Sequence, residues 1–173
     1  MGETMQANFP RCEDASFAIA AVLRRLPGAI VAIDGCEGVG KTMLARHLAL
    51  RLGAHHIETD RFLRFDPTRP VYRYGDLGQA IAARRARTQP LIVEGIAILD
   101  LLDRLDLEPG FVILVCNAAG PRHDFLPDYF REYEERFQPA RRADLILTFS
   151  AVSPSVGVHD PGMSSPEQSS RSC

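Results

Sequence analysis

Apolar residues in this chain form short continuous runs that alternate with stretches of helical periodicity. Such runs are typical of strands buried on both faces of a parallel sheet. The predicted strands are 29–33, 54–58, 90–95, 111–117 and 143–149. The predicted helices are 13–26, 42–52, 76–88, 96–105 and 128–137. Alternating strands and helices imply parallel βαβ units, so we predict an α/β fold, a three-layer α/β/α sandwich with about five parallel strands.

The first two predicted helices differ in the clarity of their apolar faces. Along 42–52, leucines recur at every fourth position, which predicts one buried stripe. In the first helix, Phe17 and Ala21, together with Ala20 or Ile19, are predicted to form the side that faces the core.

Composition divides the chain into three parts. Residues 1–12 are polar and are predicted to be loose, and residues 13–150 carry the alternating pattern of a folded domain. Residues 151–173 hold seven serines and three prolines with few apolar side chains. Such a segment buries too little surface to offset its ordering entropy, so we predict a disordered tail.

Charge and cysteine content restrict the class of protein. The 173 residues include 46% hydrophobic and 24% charged residues, as in an ordinary soluble domain, and the net charge is −2. Without a global basic field, neither nucleic acid nor a membrane surface is an expected partner. The four cysteines form no C-x-x-C pair, and the N-terminal residues lack an apolar signal segment. A reducing, cytoplasmic location is therefore expected.

One glycine-rich loop carries the strongest chemical signal. Gly35, Gly40, Lys41 and Thr42 match the P-loop pattern G-x-x-x-x-G-K-[ST] in full. The loop follows a predicted buried strand and opens a predicted helix, which is the context that the motif requires. The predicted nucleotide-binding residues are Gly35, Cys36, Glu37, Gly38, Val39, Gly40, Lys41, Thr42 and Met43.

The lysine of this loop is the only lysine in the chain, beside nineteen arginines. Successive loop amides and the positive end of the following helix form an anion nest for phosphates. Lys41 places a compact ammonium between the β- and γ-phosphates, a position that a planar guanidinium does not fit. Thr42 offers a hydroxyl to Mg²⁺. Glu37 adds negative charge near the phosphates and is expected to point outward.

Acidic residues follow three of the predicted strands: Asp34, Asp60 and Glu94. Ligands of open α/β sheets lie beyond the carboxyl ends of the strands. We predict that Asp60 is the base for an acceptor hydroxyl, and that Glu94 contacts either water bound to the metal or a substrate hydroxyl. The alternatives are that Asp60 caps a helical turn and that Glu94 caps the helix starting near Ile96. Asp34 either takes part in the chemistry of the site or only braces the backbone beside the glycine-rich loop.

Four segments together resemble the uridine kinase-like branch of the P-loop kinases: AIVAIDGCEGVGKTMLA, IETDRF, PLIVEGIAIL and YEERFQPARRADLIL. The loop also resembles that of thymidylate kinase. The resemblance implies transfer of the ATP γ-phosphoryl group to a hydroxyl of a small molecule, most simply a nucleoside, with Mg²⁺. It matches Asp60 to the family's catalytic acid and Glu94 to its metal- or substrate-linked acid. With the loop residues added, the predicted catalytic residues are Lys41, Asp60 and Glu94, and the predicted metal ligands are Thr42, Asp60 and Glu94.

Two departures from that family leave alternatives open. The lid that follows the fourth strand is very short here, and its one arginine, Arg122, is a candidate catalytic residue or a plain surface residue. Arg141 and Arg142 are possible substitutes. The chain is therefore also compatible with a nucleotide-binding module that has weak or no kinase activity, or with a kinase of a nucleoside monophosphate or another small anion.

The acceptor region is the second departure. Residues 61–75 interleave arginines with aromatic residues. Aromatic rings can stack on a base and arginines can bind an anionic acceptor, whereas the simpler interpretation is a surface loop that covers the sheet edge.

Overall fold

The computed structural model describes residues 4–85, 88–117 and 126–149. The predicted tail and Arg122 lie outside these ranges. A parallel sheet of six strands forms the centre of the fold, in the order β1-β8-β7-β2-β6-β3. Its strands are β1 (Met5–Phe9), β2 (Ile30–Asp34), β3 (His56–Glu58), β6 (Leu91–Glu94), β7 (Phe111–Asn117) and β8 (Leu145–Phe149). Between β3 and β6, β4 (Leu63–Arg64) and β5 (Val71–Tyr72) form a separate antiparallel ribbon.

Helices cover both faces of the sheet, which confirms the predicted α/β/α sandwich. They are α1 (Cys12–Leu23), α2 (Lys41–Leu52), α3 (Tyr74–Arg84), α4 (Ile98–Arg104), α5 (Pro127–Phe137) and α6 (Pro139–Arg142). Helices α1 and α2 pack on one face of β2, against Val31 and Ile33, and α3, α4 and α5 pack on the other, against Ile30 and Ala32. Strand β2 is buried on both faces because its residues alternate between these two cores.

The N-terminal residues depart from the prediction of a loose segment. Residues Met5–Phe9 pair in parallel with Leu145–Phe149 as an edge strand. The segment reads Met-Gln-Ala-Asn-Phe, an alternation of apolar and polar residues with the period of a strand. Ala7 and Phe9 pack against the core beside α1 and α2. The polar composition of residues 1–12 concealed this alternation.

The predicted apolar side of α1 is wrong for Phe17 and Ala21, whereas Ile19 and Ala20 are buried as predicted. Phe17 is 71% exposed and Ala21 is exposed as well. Phe17 lies under the Arg51 guanidinium of α2, with 5.2 Å between that group and the ring centroid. The buried stripe instead follows i, i+4 spacing through small and branched residues, which allows α1 to pack closely on α2. Its members are Ala15, Ile19, Ala20 and Leu23.

The phosphate loop lies at the point where the strand order reverses. Strand β2 is flanked by β6 on one side and by β7 on the other, and all three are parallel. In a doubly wound sheet, such a switch point leaves a crevice beyond the carboxyl ends of the strands. The fold thus places the loop, and the acids that follow β3 and end β6, at the same edge of the sheet.

None of the helices within residues 4–85, 88–117 and 126–149 combines the length and the apolar character needed for a membrane crossing.

Candidate functional site

The loop between β2 and α2 has the backbone conformation that its glycines predict. Gly38 and Gly40 adopt φ angles of 74° and 98°, in the left-handed region that favours glycine. A Cβ on Gly35 would lie 2.2 Å from the carbonyl oxygen of Val115 on β7. Only glycine therefore fits at the start of the loop, because any side chain would push it away from the neighbouring strand.

Lys41 is the first residue of α2, and its side chain is folded into the loop. Its Nζ donates a hydrogen bond to the Cys36 carbonyl at 2.6 Å, and the residue is only 8% exposed. Burial lowers the pKa of this ammonium, while nearby carboxylates, first among them Glu94, act in the opposite direction. The loop thus holds one partly desolvated cation in its curve, where it attracts an anion more strongly than a solvated lysine does.

The other predicted loop residues have different positions. The cavity on the β6 side of the loop has a volume of about 470 Å³, and its lining includes Gly38, Gly40 and the side chain of Met43, which is 51% exposed. Val39 is buried and packs in the core of α1 and α2, so it anchors the loop instead of facing the cavity. Glu37 is exposed, as expected, yet it also borders the cavity.

Thr42 and Glu94 meet across this cavity. The Thr42 hydroxyl donates to Glu94 Oε1 at 3.0 Å, which joins the start of α2 to the end of β6. Glu94 is 2% exposed, and burial raises the pKa of its carboxyl, an effect that the Thr42 hydrogen bond and Lys41 partly offset. Helix α4 begins at Ile98 and its N-cap residue is Ala97, so the structure does not support the alternative role of Glu94 as the cap of this helix.

Asp60 lines the same cavity from a short 3-10 turn, Thr59–Phe62, that follows β3. The residue is exposed on its outer side, yet partial burial raises the pKa of its carboxyl; Lys41 lowers it and Glu37 raises it further. The turn shows no side-chain cap. A Cβ on Gly95 would lie 2.0 Å from Thr59 Oγ1, so glycine at this position lets the turn pack closely against the end of β6.

The remaining acid, Asp34, does not face this cavity. It is 2% exposed, and its Oδ1 accepts a hydrogen bond from the Gly35 amide at 2.8 Å. Of the two roles considered for it, bracing the backbone is the one that the structure supports. Its Oδ2 accepts a hydrogen bond from Tyr133 of α5, a contact that was not predicted from the sequence. Nothing in the local sequence signals a contact between residues so far apart.

A second cavity, of about 530 Å³, borders the start of the loop on the β7 side. Its walls are mainly apolar and include Val115 and Cys116 of β7 and Tyr133 of α5. Arg141 also lines it, whereas Lys41, Thr42, Asp60 and Glu94 line the first cavity. These four residues, which have predicted chemical roles, therefore lie on the side of the loop that faces β6 and β3.

The segment 61–75 is more ordered than an irregular loop. It contains the β4–β5 ribbon and the start of α3 at Tyr74. Tyr72 is buried in the core, whereas Phe65 is 94% exposed. Leu63 is the residue of the ribbon that lines the cavity with Asp60.

The candidate metal ligands in the first cavity are the oxygen donors of Thr42 and Glu94. Among the described residues, no group of three or more His, Cys, Asp or Glu side chains is arranged to hold a metal ion. Thr42 and Glu94 nevertheless provide the hydroxyl and carboxylate oxygens that Mg²⁺ prefers. Because Mg²⁺ in phosphoryl-transfer sites binds through a few protein oxygens, substrate phosphates and water, this donor set fits the ion in the presence of a nucleotide.

Two known proteins are similar to this chain, one in sequence and one in structure. A bifunctional pantoate ligase/cytidylate kinase of Gloeobacter violaceus is 33% identical over 129 residues, which cover 75% of this chain and 21% of that protein. A solved structure of a possible uridine kinase from Bacillus stearothermophilus superimposes with a TM-score of 0.56 over 79% of this chain and 97% of the other. Its sequence identity is 15%.

The chain has a P-loop kinase-like fold. No protein-family model matches the sequence. The chain spans about a fifth of the curated relative, 21% of its length, so that similarity concerns only one part of the larger protein. Within the P-loop kinase-like fold, Asp60 and Glu94 occupy the carboxyl ends of strands on the β6 side of the loop.

An ionic cluster connects α2 to the turn that carries Asp60. Glu58 Oε1 accepts from Arg46 of α2 at 2.8 Å, and Oε2 accepts from Arg61 at 2.9 Å. These hydrogen bonds, with that from Arg46 the largest influence, lower the pKa of Glu58 from its ordinary 4.5 to about 2. Because both arginines are largely exposed, we expect a modest contribution to stability, about 1 kcal/mol or less.

Glu58→Gln is expected to destabilise the protein in a pH-dependent way. The folded-state pKa is depressed, so the stabilisation is complete above pH 4.5 and is lost as pH falls from 4.5 through about 2. The Tm gap between wild type and Glu58→Gln should therefore be largest near neutral pH and narrow on acidification. Glu135→Gln, at an exposed position of α5, is the matched control. A gap that stays constant from pH 7 downward would contradict this assignment.

Proposed function

We propose that this chain catalyses the transfer of the γ-phosphoryl group of ATP, with Mg²⁺, to a hydroxyl group of a small molecule, with a nucleoside as the first candidate acceptor. The observation that carries the proposal is that one cavity is lined by the loop lysine, the loop threonine and the two acids after β3 and at the end of β6. A glycine-rich turn without a ligand would not need these groups on one wall.

The loop supplies the nucleotide-binding part of this activity. Its amides and the N-terminus of α2 favour an anion. Lys41 then exchanges its bond to the Cys36 carbonyl for the oxygens of the β- and γ-phosphates. Thr42 and Glu94 would hold Mg²⁺, which when bound neutralises charge that develops on the phosphate oxygens.

Asp60 is proposed to orient the acceptor and to take its proton. An acceptor hydroxyl that lies between Asp60 and the γ-phosphorus transfers its proton to the carboxylate as its oxygen bonds to phosphorus. The raised pKa of Asp60 makes this carboxylate a better proton acceptor than a fully solvated aspartate. The bond from phosphorus to the β-phosphate oxygen breaks, and ADP leaves.

The charge of the cavity supports a neutral acceptor. Three carboxylates line it, those of Glu37, Asp60 and Glu94, against one cation, Lys41. No arginine or histidine is among the described residues of its wall. Because Lys41 is engaged by the donor phosphates, a dianionic monophosphate would meet uncompensated negative charge, whereas a nucleoside or a sugar would not.

A nucleoside monophosphate is the second candidate acceptor, because the similar protein of Gloeobacter violaceus is named as a cytidylate kinase. A nucleotide-binding role with little transfer is a further alternative, because only residues 118–126 separate β7 from α5. A lid on this short segment would offer few groups to the phosphates.

ADP release measured with Mg²⁺, ATP and a panel of acceptors separates these functions. The panel contains uridine, cytidine, their 5′-monophosphates and small sugars. We expect stimulation by neutral hydroxyl compounds above the level without acceptor. Stimulation by the monophosphates alone would replace the proposed acceptor class, and MgATP binding without stimulation by any member would refute the kinase function.

A further inference from the structure

A buried carboxylate ties the start of the phosphate loop to α4. Asp34 ends β2, and its Oδ1 accepts from the Gly35 amide at 2.8 Å and from the Ile98 amide at 3.5 Å. The residue is 2% exposed and does not line the cavity of Asp60 and Glu94. Together with Tyr133, it lines the second cavity on the β7 side of the loop, so its carboxylate is not available to an acceptor in the first cavity.

Tyr133 contacts the same carboxylate from α5. Its hydroxyl donates to Asp34 Oδ2 and accepts a hydrogen bond from the Leu99 amide at 3.4 Å. Tyr133 is 6% exposed. Burial raises the pKa of Asp34, and the hydrogen bond from Tyr133 is the first of the interactions that oppose this effect. Removal of the tyrosine hydroxyl would leave a buried carboxylate oxygen without this donor, which is costly.

Contacts within the loop connect the position of Asp34 to the position of the groups that would bind phosphate. Gly35 is packed so closely that a Cβ would lie 2.2 Å from the Val115 oxygen, so the loop has little room to shift on that side. The next residue, Cys36, supplies the carbonyl that accepts from Lys41 Nζ at 2.6 Å. A displaced first peptide would therefore alter both the amide nest and the resting position of the lysine.

We propose that Asp34 and Tyr133 are a pair of positioning residues that hold the first peptide of the phosphate loop in its binding geometry and so set the affinity for the nucleotide phosphates. Neither residue touches the ligand in this role. The inference rests on the proposed function for the identity of the ligand, but the positioning of the loop can be measured without any ligand.

The chain offers a matched control on the same helix. Tyr129 also lies on α5, and its hydroxyl donates to Asp100 Oδ2 at 3.0 Å. Like Tyr133→Phe, Tyr129→Phe removes one hydroxyl that donates to a buried aspartate, but it does so away from the loop. Tyr133→Phe additionally removes the acceptor of the Leu99 amide. A purely structural role of Tyr133 predicts similar behaviour of the two variants.

The experiment combines two measurements on wild type, Tyr133→Phe and Tyr129→Phe. Amide hydrogen exchange of residues 35–41 is followed in the nucleotide-free protein, and the Kd for MgATP is determined by calorimetry. We expect faster loop exchange and an approximately tenfold weaker Kd, about the value of one hydrogen bond to a charged group, for Tyr133→Phe alone. Wild-type exchange and Kd in Tyr133→Phe, or equal changes in Tyr129→Phe, would overturn the inference.

Asp34→Asn provides a second route if Tyr133→Phe does not fold. It retains an oxygen for the Gly35 amide but replaces the charged acceptor, so it should also accelerate loop exchange, and unchanged exchange would overturn the inference. Failure of the proposed function would give a different result from failure of this inference. In that case wild type would bind no MgATP, while hydrogen exchange of residues 35–41 would still be faster in Tyr133→Phe.

Discussion

Replacing Lys41 with alanine is expected to abolish the stabilisation of this protein by MgATP and to reduce phosphoryl transfer below detection. The ammonium is the only cation that lines the cavity among the described residues. It is partly desolvated, so its attraction for phosphate is stronger than that of a surface charge. We expect a loss of affinity on the order of a hundredfold from the charge-assisted hydrogen bonds, and a further loss in the transition state.

The nucleotide-free stability should behave differently. Because burial disfavours the charged form of Lys41, removing it should not lower the Tm of the nucleotide-free protein appreciably. Thermal shift with and without MgATP measures both effects. Arg131→Ala is a suitable control, since that arginine is 66% exposed and pairs with Asp128, three residues away on the same helix. A Lys41→Ala protein that is stabilised by MgATP as strongly as wild type would contradict the role of the loop.

Asp60→Asn is expected to spare nucleotide binding and to slow transfer by about 10²–10⁴-fold, the range for loss of a general base. The amide keeps the shape of the side chain but does not take the proton of the acceptor hydroxyl. Asp60 is outside the loop that grips the phosphates, so the calorimetric Kd for MgATP should change little.

The matched control for this substitution is Asp66→Asn. Asp66 Oδ1 accepts from the Thr68 amide at 2.8 Å in the β4–β5 ribbon, a turn contact that asparagine can also make. It does not line the cavity. Acceptor-dependent ADP release should stay at the wild-type rate in Asp66→Asn. Equal losses of binding and transfer in Asp60→Asn would contradict the assignment of Asp60 as a base.

Much of the fold could be predicted because strands that are buried on both faces have continuous apolar sequences. The runs 29–33 and 111–117 are examples, which correspond to the strands Ile30–Asp34 and Phe111–Asn117. Their alternation with helices predicts the parallel βαβ connection. Strand β1 was missed because its alternation is short and its residues are mostly exposed. The buried face of α1 was misjudged because alanines are too small to mark a face by hydrophobicity alone.

The candidate site was predictable to the extent that it depends on one local motif and one rule of topology. The loop follows from residue spacing, and Asp60 and Glu94 follow from the convergence of parallel strand ends. The contact of Asp34 with Tyr133 was not predictable, because it joins residues far apart in the chain through a helix orientation that periodicity does not specify. Arg122, in contrast, lies outside the described residues and stays a prediction.

Calorimetry with MgATP tests the central claim most directly. We expect saturable binding of one nucleotide per chain to wild type, and its loss in Lys41→Ala. If neither ATP nor GTP produces binding heat with wild type in the presence of Mg²⁺, at temperatures chosen to avoid a zero enthalpy, the loop does not grip a nucleotide and the proposed function is refuted.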